Sequence, residues 1–326
     1  MFIIEHDKLK VGDVILTSEN SAVSKTVRLA TLSRYSHAMI WIDDTIIHSD
    51  SGGVYSQNAQ RIIFKKRSHV KVLRLKENIT NERFQCLVDF CRSQVGKEYS
   101  IREAIAIGYP VKPPATELQF CSRLVAQAYA KAELKIVDDF NYCSPGDINT
   151  SKLFVEVTNC VRPATKEDVF FAETSDPNQR TREDTMKMFK GIRAKFGRHL
   201  QTLSEVTQHL VNHPQDDAEI TRIALESGYF DHAEVDILRN PWRYNESEFL
   251  IYCSENELNV TSQLKFIHDV GNATARVHVN ELKQHENLFN RTQIQFFKHQ
   301  VKLYKQLLNT HLLRQDLALH IYRKNK

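Results

Sequence analysis

The chain has 326 residues, with 44 basic and 40 acidic side chains and a formal charge of +4, a balance too even to argue for nucleic acid. Hydrophobic residues make up 41% and charged residues 26%, which excludes a fully disordered or collagen-like chain. The length exceeds what one core usually holds, so two domains are expected. No apolar run approaches the roughly 20 residues that cross a bilayer. The opening Met1-Phe2-Ile3-Ile4-Glu5-His6-Asp7 lacks a basic segment followed by a long apolar stretch, so cytoplasmic residence is expected, with signal-independent export left open.

In chain order, short runs of branched and aromatic residues predict strands at Val14–Leu16, Ala38–Ile42, Thr45–His48 and Val70–Leu75. Helical spacing of Phe84, Leu87, Val88, Cys91 and Val95 predicts a helix that stops at Gly96. Ser100 and Glu103 have the spacing of a capping box, and a third helix opens near Cys121. This half reads as α+β. The polar, proline-bearing stretch 173–185 predicts a linker between a domain over 1–172 and a second over 186–326. The second is helical, with stretches at 186–213, 216–227 and about 279–308, and a bundle is its simplest architecture.

The segment Tyr35-Ser36-His37-Ala38-Met39-Ile40-Trp41-Ile42, then Asp43-Asp44, then Thr45-Ile46-Ile47-His48 predicts a hairpin. A two- or four-residue loop sets Ile42 opposite Thr45, Trp41 opposite Ile46, Met39 opposite His48 and His37 opposite Asp50. Alternation then gives one face to His37, Met39 and Trp41 together with Ile46, His48 and Asp50. His37 and His48 become diagonal neighbours at about 7–8 Å, within range of an imidazole-to-imidazole hydrogen bond. Histidines at strand ends more often bond to backbone or water, so the pair gains meaning only beside a nucleophile.

Six cysteines occur, at 86, 91, 121, 143, 160 and 253, and none forms a CxxC pair, which weighs against a zinc ribbon or a thioredoxin-like site. Reduced thiols, one of them reactive, are the expected state. Cys121, Leu124, Val125, Ala128 and Tyr129 have the spacing of a buried helical face, and the proline-rich segment upstream makes the helix start close to Cys121. A cysteine in the first turn meets free amide hydrogens and the positive end of the dipole, which favour thiolate and could also hold an oxyanion. The competing reading is a small apolar core residue. Cys91 and Cys86 belong to the helix at 84–95, Cys143 lies in a turn and ranks second, and Cys160 and Cys253 offer no chemistry.

Taken in order, Leu9-Lys10-Val11-Gly12-Asp13-Val14-Ile15-Leu16, Tyr35-Ser36-His37-Ala38, Ile47-His48, Gly96-Lys97-Glu98-Tyr99-Ser100, Phe120-Cys121-Ser122-Arg123-Leu124-Val125 and Ser144-Pro145-Gly146-Asp147-Ile148 resemble the circularly permuted papain-like hydrolases of the YaeF/YiiX group. These are relatives of the NlpC-type peptidases and the lecithin retinol acyltransferase-like enzymes. The resemblance spans roughly residues 8–155 and includes the permuted order, histidine before cysteine. It implies a permuted papain-like domain with an antiparallel sheet, Cys121 as nucleophile, His37 as general base and later acid, and His48 as the group that orients His37. Tyr35 and Ser122 are candidates for lining the oxyanion or substrate site.

The expected activity is cysteine-dependent hydrolysis of an amide or ester through a covalent acyl-enzyme, on a peptide-like or acyl-containing substrate. Acyl transfer or deacylation on lipids is the alternative within the group, although no strongly amphipathic basic anchor marks a membrane lipid as substrate. A different class of answer is an inactive papain-like interaction protein whose helical domain binds a protein partner of unknown kind. No cofactor, metal or nucleic acid is predicted. His209 and His213 have helical spacing but lack the glutamate of an HExxH site, and Lys298, Lys302 and Lys305 suit core packing as well as a basic face.

Overall fold

Branched and aromatic residues with period two form the strands of the N-terminal half, as a computed structural model of the protein shows; it describes residues 1–18, 33–42, 45–174 and 176–324. The elements there are β1 (Phe2–Ile4), β2 (Val14–Thr17), β3 (His37–Ile42), β4 (Thr45–Asp50), β5 (Gly53–Gln57), β6 (Val70–Leu75), α1 (Asn81–Ser93), α2 (Ile101–Ala106), α3 (Cys121–Lys131), α4 (Pro145–Thr150), β7 (Phe154–Glu156), β8 (Val161–Pro163) and α5 (Lys166–Glu173). Six strands make an antiparallel sheet in the order β5-β4-β3-β2-β6-β7, and β1 pairs with β8 separately.

The two faces of the sheet enter different cores, as strand alternation requires. Val14, Leu16, Ala38, Ile40, Ile42 and Ile47 pack with Leu124, Val125 and Ala128 of α3 and with Leu87, Val88 and Cys91 of α1. Ile15, Met39, Trp41, Ile46, Val70 and Val72 pack on the other side with Ile4, Phe64 and Cys160. The fold is therefore α+β, with α3 laid against β3 and β4. Ser100 caps α2 by accepting from the Glu103 N–H, but the reciprocal half of the box is absent because the Ser100 N–H donates to the Gln119 carbonyl at 2.8 Å.

Helices follow: α6 (Pro177–Phe196), α7 (Leu203–Asn212), α8 (Asp217–Ser227), α9 (His232–Arg239), α10 (Glu246–Glu255), α11 (Val260–Thr292) and α12 (Gln295–Lys324). The chain divides into one unit of Met1–Ser175 with Gln201–Ser204 and a second of Asp176–Leu200 with Glu205–Lys326. Three sequence expectations change. Most of the stretch read as a linker, 173–185, is the start of α6, because Asp176 caps it and Pro177 sits at its first position, where the missing N–H costs nothing. The helix expected over 186–213 breaks after Phe196, where Gly197 takes φ +115°. The helix expected over about 279–308 is two antiparallel helices, α11 and α12, joined where Gln293 takes the left-handed conformation.

Candidate active site

The observed register agrees with the hairpin drawn from sequence: Ile42 faces Thr45, Trp41 faces Ile46 and Met39 faces His48. Asp43 and Asp44, the expected turn, lie outside the described residues. His37 faces Thr17 on β2, and the N–H of Ser36 also donates to the Thr17 carbonyl at 2.9 Å. Two consecutive residues opposite one partner form a β-bulge, which re-aims the side chains beside it. The rings of His37 and His48 meet as diagonal neighbours, with Nε2 of His37 2.9 Å from Nδ1 of His48 and both residues buried. The β3–β4 ladder ends at Met39 and His48, short of the expected His37–Asp50 pair; on its other edge Asp50 pairs with Gly53, and its carboxylate accepts from the Tyr55 hydroxyl and the Gly52 N–H. Tyr55, opposite His48 in the ladder, sets its ring at 4.5 Å against that imidazole.

Cys121 is the first residue of α3 and is 4% exposed. Helices α1, α2, α4 and α5 each begin with a side-chain oxygen accepting a first-turn N–H, from Thr80, Ser100, Ser144 and Thr165. The residue before Cys121 is Phe120, which has no such oxygen and makes no side-chain cap. First-turn amides without a side-chain acceptor at the N-cap suit a thiolate or an oxyanion. The approach to the helix is fixed by Gln119, whose N–H donates to the Glu98 carbonyl and whose amide nitrogen donates to Gln94 and Gln127. This pairing brings Tyr99 alongside Gln119. Burial raises the pKa of Tyr99, and the charges of Cys121 and Asp50 raise it further, so its hydroxyl lies within electrostatic reach of both the thiol and the end of β4.

A buried ion pair behind the thiol escaped the sequence reading. Arg123, fully buried one turn into α3, reaches Glu103 on α2 at 3.0 Å and donates to the carbonyls of Leu118 and Asn141. Its guanidinium also lies over the rings of Phe120 and Tyr142. Glu103 further accepts from Thr116 and the Tyr142 hydroxyl. Burial alone would raise the pKa of Glu103, but hydrogen bonds from Arg123, Ser100 and Thr116 outweigh it and bring the pKa down to about 2. These bonds tie the two chain segments flanking Cys121 to the start of its helix.

The remaining candidates fall elsewhere. The Tyr35 ring belongs to the core under α3, and burial raises its pKa. Ser122 is buried, and its hydroxyl donates to the Cys143 carbonyl at 2.7 Å, so in place of the expected lining role it staples the turn before α4 to α3. Burial pushes the thiols of Cys91 and Cys143 well up and that of Cys160 to about 11, which suits inert core thiols. In the helical unit, His209 bonds to Asp216 at 2.8 Å. Among the described residues no group of three or more His, Cys, Asp or Glu is placed to hold a metal ion. No described helix is long and apolar enough to cross a membrane.

An antiparallel sheet carrying a histidine pair, with a cysteine at the start of a helix packed on the same strands, is the arrangement of a papain-like domain whose histidine precedes its cysteine in the chain. Residues 8–167 match the permuted papain-like amidase family, YaeF/YiiX, C92, which supports a cysteine hydrolase in this part of the chain. Among solved structures it is similar to the metalloprotein yiiX of Escherichia coli O157:H7, at 18% identity over 45% of this chain and 96% of that one, with a TM-score of 0.36. No curated protein matches the chain.

Proposed function

We propose that Cys121, His37 and His48 form the catalytic set of an amidase that works through a thioester acyl-enzyme. The 2.9 Å contact between His37 Nε2 and His48 Nδ1 carries this reading. It commits Nε2 of His37 to an orienting partner, so Nδ1 is the nitrogen that deals with a thiol, and it holds the imidazole in one tautomer. The uncapped start of α3 adds a dipole that favours thiolate at Cys121. α3 packs its body on the side chains of Ala38, Ile40 and Ile47, which alternate with those of the histidine face, so the thiol must meet His37 beyond the end of the strand, where the bulge lies.

In the reaction, His37 takes the thiol proton and the sulfur attacks the substrate carbonyl carbon. First-turn amides of α3 hold the resulting oxyanion. His37 then returns its proton to the leaving amine as the C–N bond breaks, leaving a thioester. Water, deprotonated by His37, attacks that thioester and releases the acid and the thiol. A peptide-like amide fits the family's class; an ester would pass through the same steps with an alcohol as leaving group.

The test is an electrophilic acyl probe applied to the full chain, with the adduct located by mass mapping. The proposal expects one adduct at Cys121, lost in Cys121→Ala and reduced about a hundredfold or more in His37→Ala. Labelling spread over exposed Cys86, with none at Cys121, would reject it.

A further inference from the structure

Tyr55 of β5 packs on His48, and Asp50 and Gly52 at the β4–β5 turn hold Tyr55 in place. Tyr55 stands directly across the ladder from His48, with ring centroids 4.5 Å apart and planes at 66°. Such an edge-on contact restricts the imidazole's rotation, since turning the ring would drive it into the neighbour. Tyr55 is itself fixed at the far end: its hydroxyl donates to Asp50 Oδ2 at 2.5 Å, and the other carboxylate oxygen accepts from the Gly52 N–H at 2.8 Å. A Cβ at position 52 would lie 3.2 Å from that oxygen and 3.6 Å from the Tyr55 ring, so glycine leaves room for the arrangement to close. Both of these donors to Asp50 are neutral.

We propose that Tyr55 and Asp50 are positioning residues for the catalytic histidine pair, Tyr55 holding the His48 ring against His37 and Asp50 holding Tyr55 while biasing the pair toward its protonated form. This rests on the reading of Cys121 and His37 above. A carboxylate two positions along the strand from His48, and so on its face, favours imidazolium, and imidazolium favours thiolate at Cys121. The titratable groups joined in the cluster are His37 on β3, His48 and Asp50 on β4 and Tyr55 on β5; Tyr99, from the segment after α1, feels the charges of both Asp50 and Cys121.

Iodoacetamide alkylation of Cys121 in the full-length protein, followed by mass spectrometry across the pH range, tests this without a substrate. In Asp50→Asn, whose carbonyl oxygen still serves Gly52, the high-pH limb that reports loss of imidazolium should move down by about half a unit or more. Tyr55→Phe keeps the ring and removes the bond to Asp50 but leaves its charge; it should slow alkylation at neutral pH several-fold through the loosened His48 and move the limb less than Asp50→Asn does. Thermal midpoints near that of the parent show that neither change acts through folding. Profiles of both variants superimposed on the parent's would overturn the proposal, as would lost stability with an unmoved limb. Should Cys121 of the unaltered protein react no faster than Cys86, the catalytic reading fails first, and that outcome is separate from superimposed profiles on a fast Cys121.

Discussion

Glu103 in the sheet unit and His285 and His232 in the helical unit are all withdrawn from water, yet they are handled in opposite ways. Glu103 keeps its charge because Arg123, Thr116 and Tyr142 supply donors for it. His285 has Nδ1 on the Glu281 carbonyl, and its Nε2 and the buried Nε2 of His232 have no hydrogen-bond partner among the described residues. Burial therefore lowers the pKa of His285, and it brings that of His232 to about 4 against the opposing pull of Asp184 and Asp231. One unit buries a satisfied charge beside its candidate nucleophile. The other buries neutral imidazoles that acid will find costly to protonate in place.

The largest effect that sharpens this contrast is on the buried pair. Arg123→Ala leaves Glu103 as an unpaired carboxylate, and urea denaturation should show the sheet unit destabilised by about 3–5 kcal/mol. Glu103→Gln should cost less, since the amide still accepts from Thr116. A variant loss under about 1 kcal/mol for Arg123→Ala would mean that the pair does not hold the start of α3.

Next in size is the response to acid. Glu103 has a lowered folded pKa, so its contribution is present above the ordinary value of 4.5 and is lost as pH falls through about 2, a change of about 3 kcal/mol. His232 also has a lowered folded pKa, but here the unfolded chain takes up the proton first. Stability of the helical unit should therefore fall by about 3 kcal/mol as pH drops from 6.5 toward 4 and then level off. The two tryptophans separate the units: Trp242→Phe leaves Trp41 to report on the sheet unit, and Trp41→Phe leaves Trp242 to report on the helical one. Coincident acid transitions in both variants would break the comparison.

The smallest effect concerns the helix starts. Ser144→Ala removes one half of the capping box that opens α4, including the acceptor for the Asp147 N–H at 3.1 Å, and should cost about 1 kcal/mol by urea titration. Phe120→Ser, which offers α3 the cap it lacks, should slow alkylation of Cys121 by competing for the same amides. Unchanged reactivity there would show that those amides do not serve the thiol.

What was legible in sequence follows from locality. The hairpin register came from alternation around Asp43-Asp44, and the position of Cys121 from an apolar helical face after a proline-rich segment, both set by residues adjacent in the chain. The partners of Asp50 and Glu103 were not legible, because Tyr55, Arg123 and Tyr142 reach them across strands and between helices. The turn between α11 and α12 was missed for a related reason. It carries no glycine or proline, and the start of α12 is capped by the Asp217 carboxylate of α8, which accepts from the N–H groups of Gln295 and Phe296 at 2.7 and 2.9 Å. A cap supplied 78 residues away leaves no local signal.

The most direct measurement is the ultraviolet absorbance of the Cys121 thiolate, taken as the unaltered protein minus Cys121→Ala across the pH range and repeated in a His37→Ala background. A thiolate–imidazolium pair predicts absorbance persisting well below the usual thiol pKa of about 8.5, and its loss at neutral pH when His37 is removed. An ordinary or raised titration at Cys121 that is indifferent to His37 would contradict the account.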